Sequence, residues 1–422
     1  MENHPTRKTF NSYIYFWIGQ IFSLLGSSIV QFVIPLWITD IYQDEILTSL
    51  IYFVSFLPPI IISPIAGVYA DKLNRKKMIA FADTSQAITT LILIVFFLTN
   101  LENFYLILII SLLRSIFQFI HLPPSNAIIP TMVPKEHLSR VNGINYLFTS
   151  FIHIIGPIVG GVFVSIFPIE IALSIDVITF VIAIIPLILI KIPDIRKEEE
   201  KKVNASNFRS DIKEGIKIIR VMPGLLILLL LATFANFFIM PLQTLLSNYI
   251  LVDNSGTGLI YAFVSGSMSF GILIGAIVVT IKKEWDRKIL IIFLGILVQN
   301  FGCLIIALSP YQLFSMMMVG AFIHGIFLPI VNTMFLTLIQ TKVPTDKQGR
   351  VISIVFLISS AITPISILLA GPLSKIIGIA TLWLLYGILG ILFTIIIWVS
   401  TDLRKIDNFE KKQLASNPNN QN

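Results

Sequence analysis

Apolar residues run along this chain in long blocks, broken by short polar connections. Twelve blocks are found, at about 13–38, 48–70, 78–98, 104–125, 142–167, 171–192, 224–246, 258–281, 289–308, 312–338, 351–376 and 379–400. Each is long enough for a helix across a hydrocarbon layer, which takes about 20 residues at about 1.5 Å of rise per residue. Prolines fall inside several of them, among them Pro58, Pro59, Pro186, Pro241 and Pro364. Spanning helices tolerate proline because neighbouring groups satisfy the freed carbonyls. The first block, Tyr13–Ile38, is too long for the core of a signal peptide and lacks a small-residue cleavage site, so it is expected to remain as the first span. The pattern predicts an all-α integral membrane protein of twelve helices.

The connections differ in charge. With both termini placed inside, the inner segments hold 28 of the 30 lysines and arginines. The outer segments hold Asp40, Asp44, Glu45, Glu102, Glu170 and Asp253, with Lys375 at one edge. Basic residues stay on the cytoplasmic side, so both ends are expected in the cytoplasm of a bacterial cell. The longest polar break, residues 191–223, separates a six-helix bundle at 1–190 from another at 224–400; a polar tail fills 401–422. The stretch "SDIKEGIKIIR" within the break is either a mobile connector or a short amphipathic helix on the membrane surface.

Composition agrees with this reading. The chain of 422 residues is 55% hydrophobic and 13% charged, with mean hydropathy +0.87. A soluble domain carries about 25% charged residues. The net charge of +7 is explained by a basic cytoplasmic face against anionic membrane lipid, and needs no nucleic-acid partner. Cys303 has no second cysteine to bond, and the five histidines lack metal-ligand spacing. No phosphate loop, nucleophile elbow or dinucleotide fingerprint occurs, so neither an enzyme nor a cofactor or metal is expected.

The halves echo one another. "VPKEHLSRV" (133–141) and "VPTDKQGRV" (343–351) share V-P-x5-R-V, and Gly67 and Gly275 stand at a similar offset. Two parallel six-helix repeats are an architecture of secondary transporters.

Three motifs then resemble those of the major facilitator superfamily. The stretch between the second and third blocks resembles its G-x-x-x-D-[RK]-x-G-R-[RK] loop through Gly67, Asp71, Lys72, Arg75 and Lys76, with Asn74 where glycine is usual. Asparagine tolerates a positive φ better than most residues, so the turn is expected to survive. "GPIVGG" supplies Gly156, Pro157, Gly160 and Gly161 of the antiporter motif, with Ile152 in place of an upstream glycine. Arg114 matches the arginine of the fourth-helix motif, although Gln118 replaces the following glycine. The stretches "PPSNAIIPTMVPKEHLSRVNG" and "ALSIDVITF" resemble the macrolide-efflux branch, which also contains siderophore exporters. The resemblance implies two bundles around a central cavity, and a monomer exchanging protons for a lipophilic small molecule, with the proton gradient as its energy source.

The charges allow more than one role. The cations at 72–77 fix topology. Beyond that, Asp71, Arg75 and Arg350 are candidates for a conformational latch, in which Asp71 meets the N-terminal amides of the eleventh helix. Arg114 falls about 15 Å into the fourth helix, at about 1.5 Å per residue, and needs a partner or water. Asp83 and Asp176 are the acids within spans of its half, either as proton carriers or as plain ion-pair partners. His121, His153 and His324 are read mainly as hydrogen-bonded packing groups.

Polar residues recur at helical spacing on three blocks: Gln20, Ser23, Ser27 and Gln31; Ser111, Arg114, Ser115 and Gln118; Thr233, Asn236, Met240, Gln243 and Ser247. With Asn332 and His324 on the tenth helix they are candidate walls of a substrate cavity. The alternative is hydrogen bonding between helices, worth about 0.6 kcal/mol each. The leading expectation is proton-driven efflux of a hydrophobic drug such as a macrolide. Export of a siderophore, or a non-transporting receptor that keeps the fold, are the alternatives.

Overall fold

The computed structural model describes residues 6–192, 217–219, 224–282, 285–343 and 345–401. Most of the polar break at 191–223, its amphipathic stretch and nearly all of the tail at 401–422 lie outside these residues. The chain forms α1 (Arg7–Tyr42), α2 (Glu45–Lys72), α3 (Arg75–Leu98), α4 (Phe104–Met132), α5 (Lys135–Ile166), α6 (Ile169–Leu189) and α7 (Leu225–Asn248). A single π turn, Tyr249–Asp253, follows α7. Then come α8 (Gly258–Ile281), α9 (Lys288–Ala307), α10 (Phe314–Lys342), α11 (Thr345–Ala361), α12 (Thr363–Ile377) and α13 (Ile379–Ser400). Pro364 opens α12 and cannot donate to the preceding turn, so α11 and α12 break at Ile362 and share one crossing. Among the described residues, twelve segments are thus long and apolar enough to cross a membrane.

Several helices outrun the apolar blocks that announced them. α4 continues through Pro123, Pro124 and Pro130 to Met132, and α5 starts at Lys135 in a polar turn. A helix of 32 residues such as α5 is about 48 Å long, against a hydrocarbon thickness of about 30 Å. Its polar end lies beyond the apolar layer, where composition carries no helical signal. The connections are capped by side chains. Asp44 accepts from the amides of Ile46 and Leu47, and Asn103 from that of Tyr105. Asn74 stands at φ −70°, not at the positive φ expected of a glycine substitute; it caps α3 by accepting from Lys77 N–H at 3.1 Å.

The chain divides into two compact units. The first contains Met1–Val203 together with Ser247–Gly266; the second contains Asn204–Leu246 and Ser267–Asn422. The π turn and the start of α8 therefore belong with the first six helices, although they follow the polar break. Side chains hold them there. Thr39 meets the hydroxyls of Ser247 at 2.8 Å and Thr48 at 3.1 Å, Tyr52 meets that of Tyr261 at 3.1 Å, and Phe32 stacks on Tyr261.

Within the first unit α1 is central, packing on α5 and α6, while α4 packs on α2 and α3. Gly19 and Gly26 let α1 approach α6: a Cβ at Gly26 would stand 2.7 Å from the Cα of Asp176. The core near the start of α1 gathers Tyr13, Phe16, Ile79, Ile128, Met132, Val133 and Leu187. In the second unit α9 packs on α10 and α13, with Leu228, Ile292, Phe293, Ile296, Met334 and Ile397 at the centre. The repeated V-P motif has the same structural place in each unit. Val133 and Val343 end a helix with their N–H groups on Ile129 and Ile339, and both are buried. Val141 and Val351 return to the same clusters one turn into the next helix and beyond. Large apolar side chains such as Leu189, Phe356 and Ile376 are mostly exposed, which suits hydrocarbon and not water.

Candidate functional site

The first unit encloses polar side chains in two layers. Gln20 and Ser27 on α1 lie seven residues apart, as do Asp83 and Thr90 on α3, and Arg114 and His121 on α4. Seven residues are about two turns, so each pair shares a face and its members lie about 10.5 Å apart along the helix. Because α4 runs antiparallel to α1 and α3, the six residues fall into two rungs.

One rung is built on Asp176 of α6. Arg114 Nη2 donates to Asp176 Oδ2 at 3.0 Å, and their side chains are 6% and 5% exposed. Thr90 donates to the same oxygen at 2.7 Å, and Ser27 to Oδ1 at 3.1 Å. Arg114 Nε donates to Thr90 at 3.2 Å. Both carboxylate oxygens are thus engaged, Oδ2 twice and Oδ1 once, and hydrogen bonds of this kind offset part of the cost of burying the pair. Gly26 makes this possible by bringing the backbones of α1 and α6 together. The other rung is built on Asp83 of α3. His121 Nδ1 lies 2.6 Å from Asp83 Oδ1, and Gln20 donates to Oδ2 at 3.2 Å. Gln86 stands between the rungs, its Oε1 at 3.3 Å from the Ser27 hydroxyl as an alternative acceptor to Asp176.

Beside the Arg114 rung is a small cavity of about 30 Å³, bordered by Gln31, Ser55, Ser111, Arg114, Ser115 and Gln118 among others. Ser115 donates to the Ser55 carbonyl at 3.0 Å, whereas the buried Ser111 hydroxyl has no protein partner. The volume is about that of one water molecule. Of the predicted cavity residues, Gln31 and Gln118 border this space, and Gln20 and Ser27 belong to the rungs. In the second unit Asn236 donates to the Ser359 carbonyl at 2.9 Å, Met240 and Gln243 are half-buried, and Asn332 is exposed. The aromatic residues near these stripes mostly pack on one another: Phe234 lies on Phe393, and Phe237 and Phe238 on Tyr386.

Two cations of the α2–α3 connection, Arg75 and Lys76, face their own unit. Arg75 donates to the Ala127 carbonyl at 2.9 Å, and Lys76 to those of Ile188 and Ile190 at 2.7 and 2.8 Å. Lys76 thus closes the C-terminal end of α6, where carbonyls lack helical partners and the dipole favours a cation. The side chains of Gly67, Asp71, Lys72 and Arg350, the rest of the predicted latch, lie outside those described. In α5, Gly156 abuts Ser28, Gly160 abuts Phe32 and Val33, and Gly161 abuts Gly258 and Ala262 of α8. The proline between them, Pro157, lies within the helix. "GPIVGG" forms a strip of close contact with α1 and with the start of α8.

Sequence reasoning missed His121 as the neighbour of Asp83, and missed Thr90 and Gln86 altogether. The signal was the shared seven-residue interval on three helices, visible only when they are compared.

The family model described as Major Facilitator Superfamily matches residues 16–299 and 281–419. Macrolide efflux protein A of Streptococcus pyogenes is 29% identical over 392 residues, covering 93% of this chain and 96% of that one. Macrolide efflux protein A of Enterococcus faecalis is 29% identical over 313 residues, covering 74% and 96%. Among solved structures, a bacterial homologue of the iron transporter ferroportin in an inward-facing state superposes with TM-score 0.70 at 15% identity, over 92% and 98% of the chains, a likeness of fold alone. With twelve spans and a match along nearly its whole length, this multi-pass membrane chain belongs to the Major Facilitator Superfamily.

Proposed function

We propose that the protein is an efflux transporter that exchanges protons for a lipophilic compound of the macrolide class, moving it out of the cytoplasm by alternating access. The observation that carries the reading is the buried Arg114–Asp176 rung bordering a polar recess. Charges placed this deep in a membrane helix are costly and are kept where they serve a path or a binding surface. The residues around the recess offer amide and hydroxyl groups beside the Arg114 cation; at about 30 Å³ the recess has room for a water molecule, so a bulky substrate requires it to open during the cycle. Similarity to the macrolide efflux proteins supports the substrate class. Asp83 and Asp176 are the candidate proton-coupling carboxylates.

The test is expression in a drug-sensitive bacterium. Resistance to a macrolide, lower accumulation of the labelled drug, and loss of both effects on adding a protonophore are expected. Unchanged susceptibility and accumulation would refute macrolide efflux, and efflux indifferent to the protonophore would refute the coupling.

A further inference from the structure

The two rungs differ in what one proton does to them. Arginine stays charged throughout the accessible pH range, so the Arg114–Asp176 pair is neutral as it stands. Protonating Asp176 would strand the guanidinium without a counter-charge in a site from which water is nearly excluded. The Asp83–His121 pair behaves otherwise. With the imidazole neutral and its Nδ1 facing Asp83 Oδ1 at 2.6 Å, the pair carries one negative charge. A proton taken from water at Nε2 turns the ring into imidazolium and makes the pair neutral, with no other group changed. Release of the same proton from Nε2 to water restores the anion. Asp83 is 5% exposed and the imidazole 18%, so the ring is the more accessible member of the pair.

Among the described residues, no other charged side chain forms an ion pair with Asp83 or His121. α1 contributes the uncharged Gln20 at the rung, with Tyr13 seven residues earlier. α4 contributes His121 itself, with Arg114 two turns away and engaged by Asp176. α6 contributes Asp176 at the level of Arg114. On α3, Arg75 and Lys76 are held on carbonyls near the helix start. α2, which packs on α4, has the titratable groups Tyr52 and Tyr69 between Glu45 and Asp71. Tyr52 is engaged with Tyr261, and Tyr69 is exposed.

Resting on the antiport reading above, we propose that the Asp83–His121 pair takes up and releases the driving proton, with His121 Nε2 as the atom that exchanges it. The Arg114–Asp176 pair keeps its charge through the cycle and holds the helices in register. A neutral pair can be sealed from water, whereas the anionic pair must stay hydrated, and that difference links protonation to the side from which water enters.

The full chain is purified and reconstituted in lipid vesicles with radiolabelled erythromycin as the probe. Gradient-driven accumulation is recorded, together with erythromycin exchange at equal pH on both sides between about pH 5 and 8, where imidazole ordinarily titrates. For His121→Gln and Asp83→Asn, accumulation is expected to fall by roughly tenfold or more, and exchange to lose the pH dependence seen in the wild type. Accumulation with a wild-type pH profile in both variants would overturn the assignment and leave the antiport reading standing. Loss of all exchange in both variants, with normal elution as folded protein, would place the pair in substrate binding and overturn it too. A wild-type protein that moves erythromycin without moving protons would overturn both readings.

Discussion

Removing the charge of Asp176 tests the central claim about the first unit. In Asp176→Asn the carboxylate that accepts from Arg114, Thr90 and Ser27 becomes an amide, and an N–H2 group is turned toward one set of those donors. Both partners of the ion pair are almost wholly buried. Breaking such a pair by changing one member costs about 3–5 kcal/mol, because the other charge remains without compensation. At roughly 2–4 °C per kcal/mol for a unit of about 200 residues, the midpoint of thermal unfolding falls by roughly 6–20 °C. Arg114→Gln should cost a similar amount for the opposite reason, an unpaired carboxylate. The double variant replaces the ion pair with an amide pair and leaves no stranded charge, so its loss should be well below the sum of the two. Unfolding of the purified protein in detergent, followed by intrinsic fluorescence, gives the four midpoints of the cycle. Additive losses would refute the pairing, because independent sites add to within about 0.5 kcal/mol. Two wild-type midpoints among the single variants would show that neither charge is uncompensated after its partner is gone.

Further expectations concern the helix contacts. Gly161→Leu places a side chain where a Cβ alone would stand 2.6 Å from that of Ala262, so α5 and α8 must separate. Overpacking of this kind costs about 1–3 kcal/mol, and drug resistance in cells should be lost while Gly143→Ala, where a Cβ meets nothing within 4 Å, keeps it. Lys76→Ala opens the C-terminal end of α6 by removing two hydrogen bonds to its last carbonyls. A loss of about 1 kcal/mol is expected, read as a small fall in the unfolding midpoint that Lys76→Arg largely restores.

The crossings were legible in the sequence because hydrocarbon thickness imposes a length and an apolar composition that few other structures need. Their polar ends were not, since outside the hydrocarbon that constraint disappears; α5 shows this in its first turns. Arg114 announced itself through the cost of a charge at its depth, and the shortage of acids narrowed its partner to two. The choice between Asp83 and Asp176 depended on the rotation of α6 about its axis and on the gap left by Gly26. Periodicity identifies a polar face but not the helix it meets. His121 looked isolated for the same reason: its carboxylate comes from α3, 38 residues earlier, and nothing local marks the pair. The motif cations Arg75 and Lys76 were recognisable as basic, yet their attachment to carbonyls of α4 and α6 follows from three-dimensional neighbours alone.

The segment Ser247–Gly266 completes the first unit even though more than forty residues of the second precede it in the chain. The polypeptide leaves one unit, returns, and leaves again, so severing the polar break near residue 203 cannot yield two whole bodies. During synthesis the six helices at the front must wait for the end of α7 and the opening turns of α8 before Tyr52 meets Tyr261, Gly161 meets Ala262 and Thr39 gains Ser247. The order of emergence from the ribosome therefore makes the first body the one that waits.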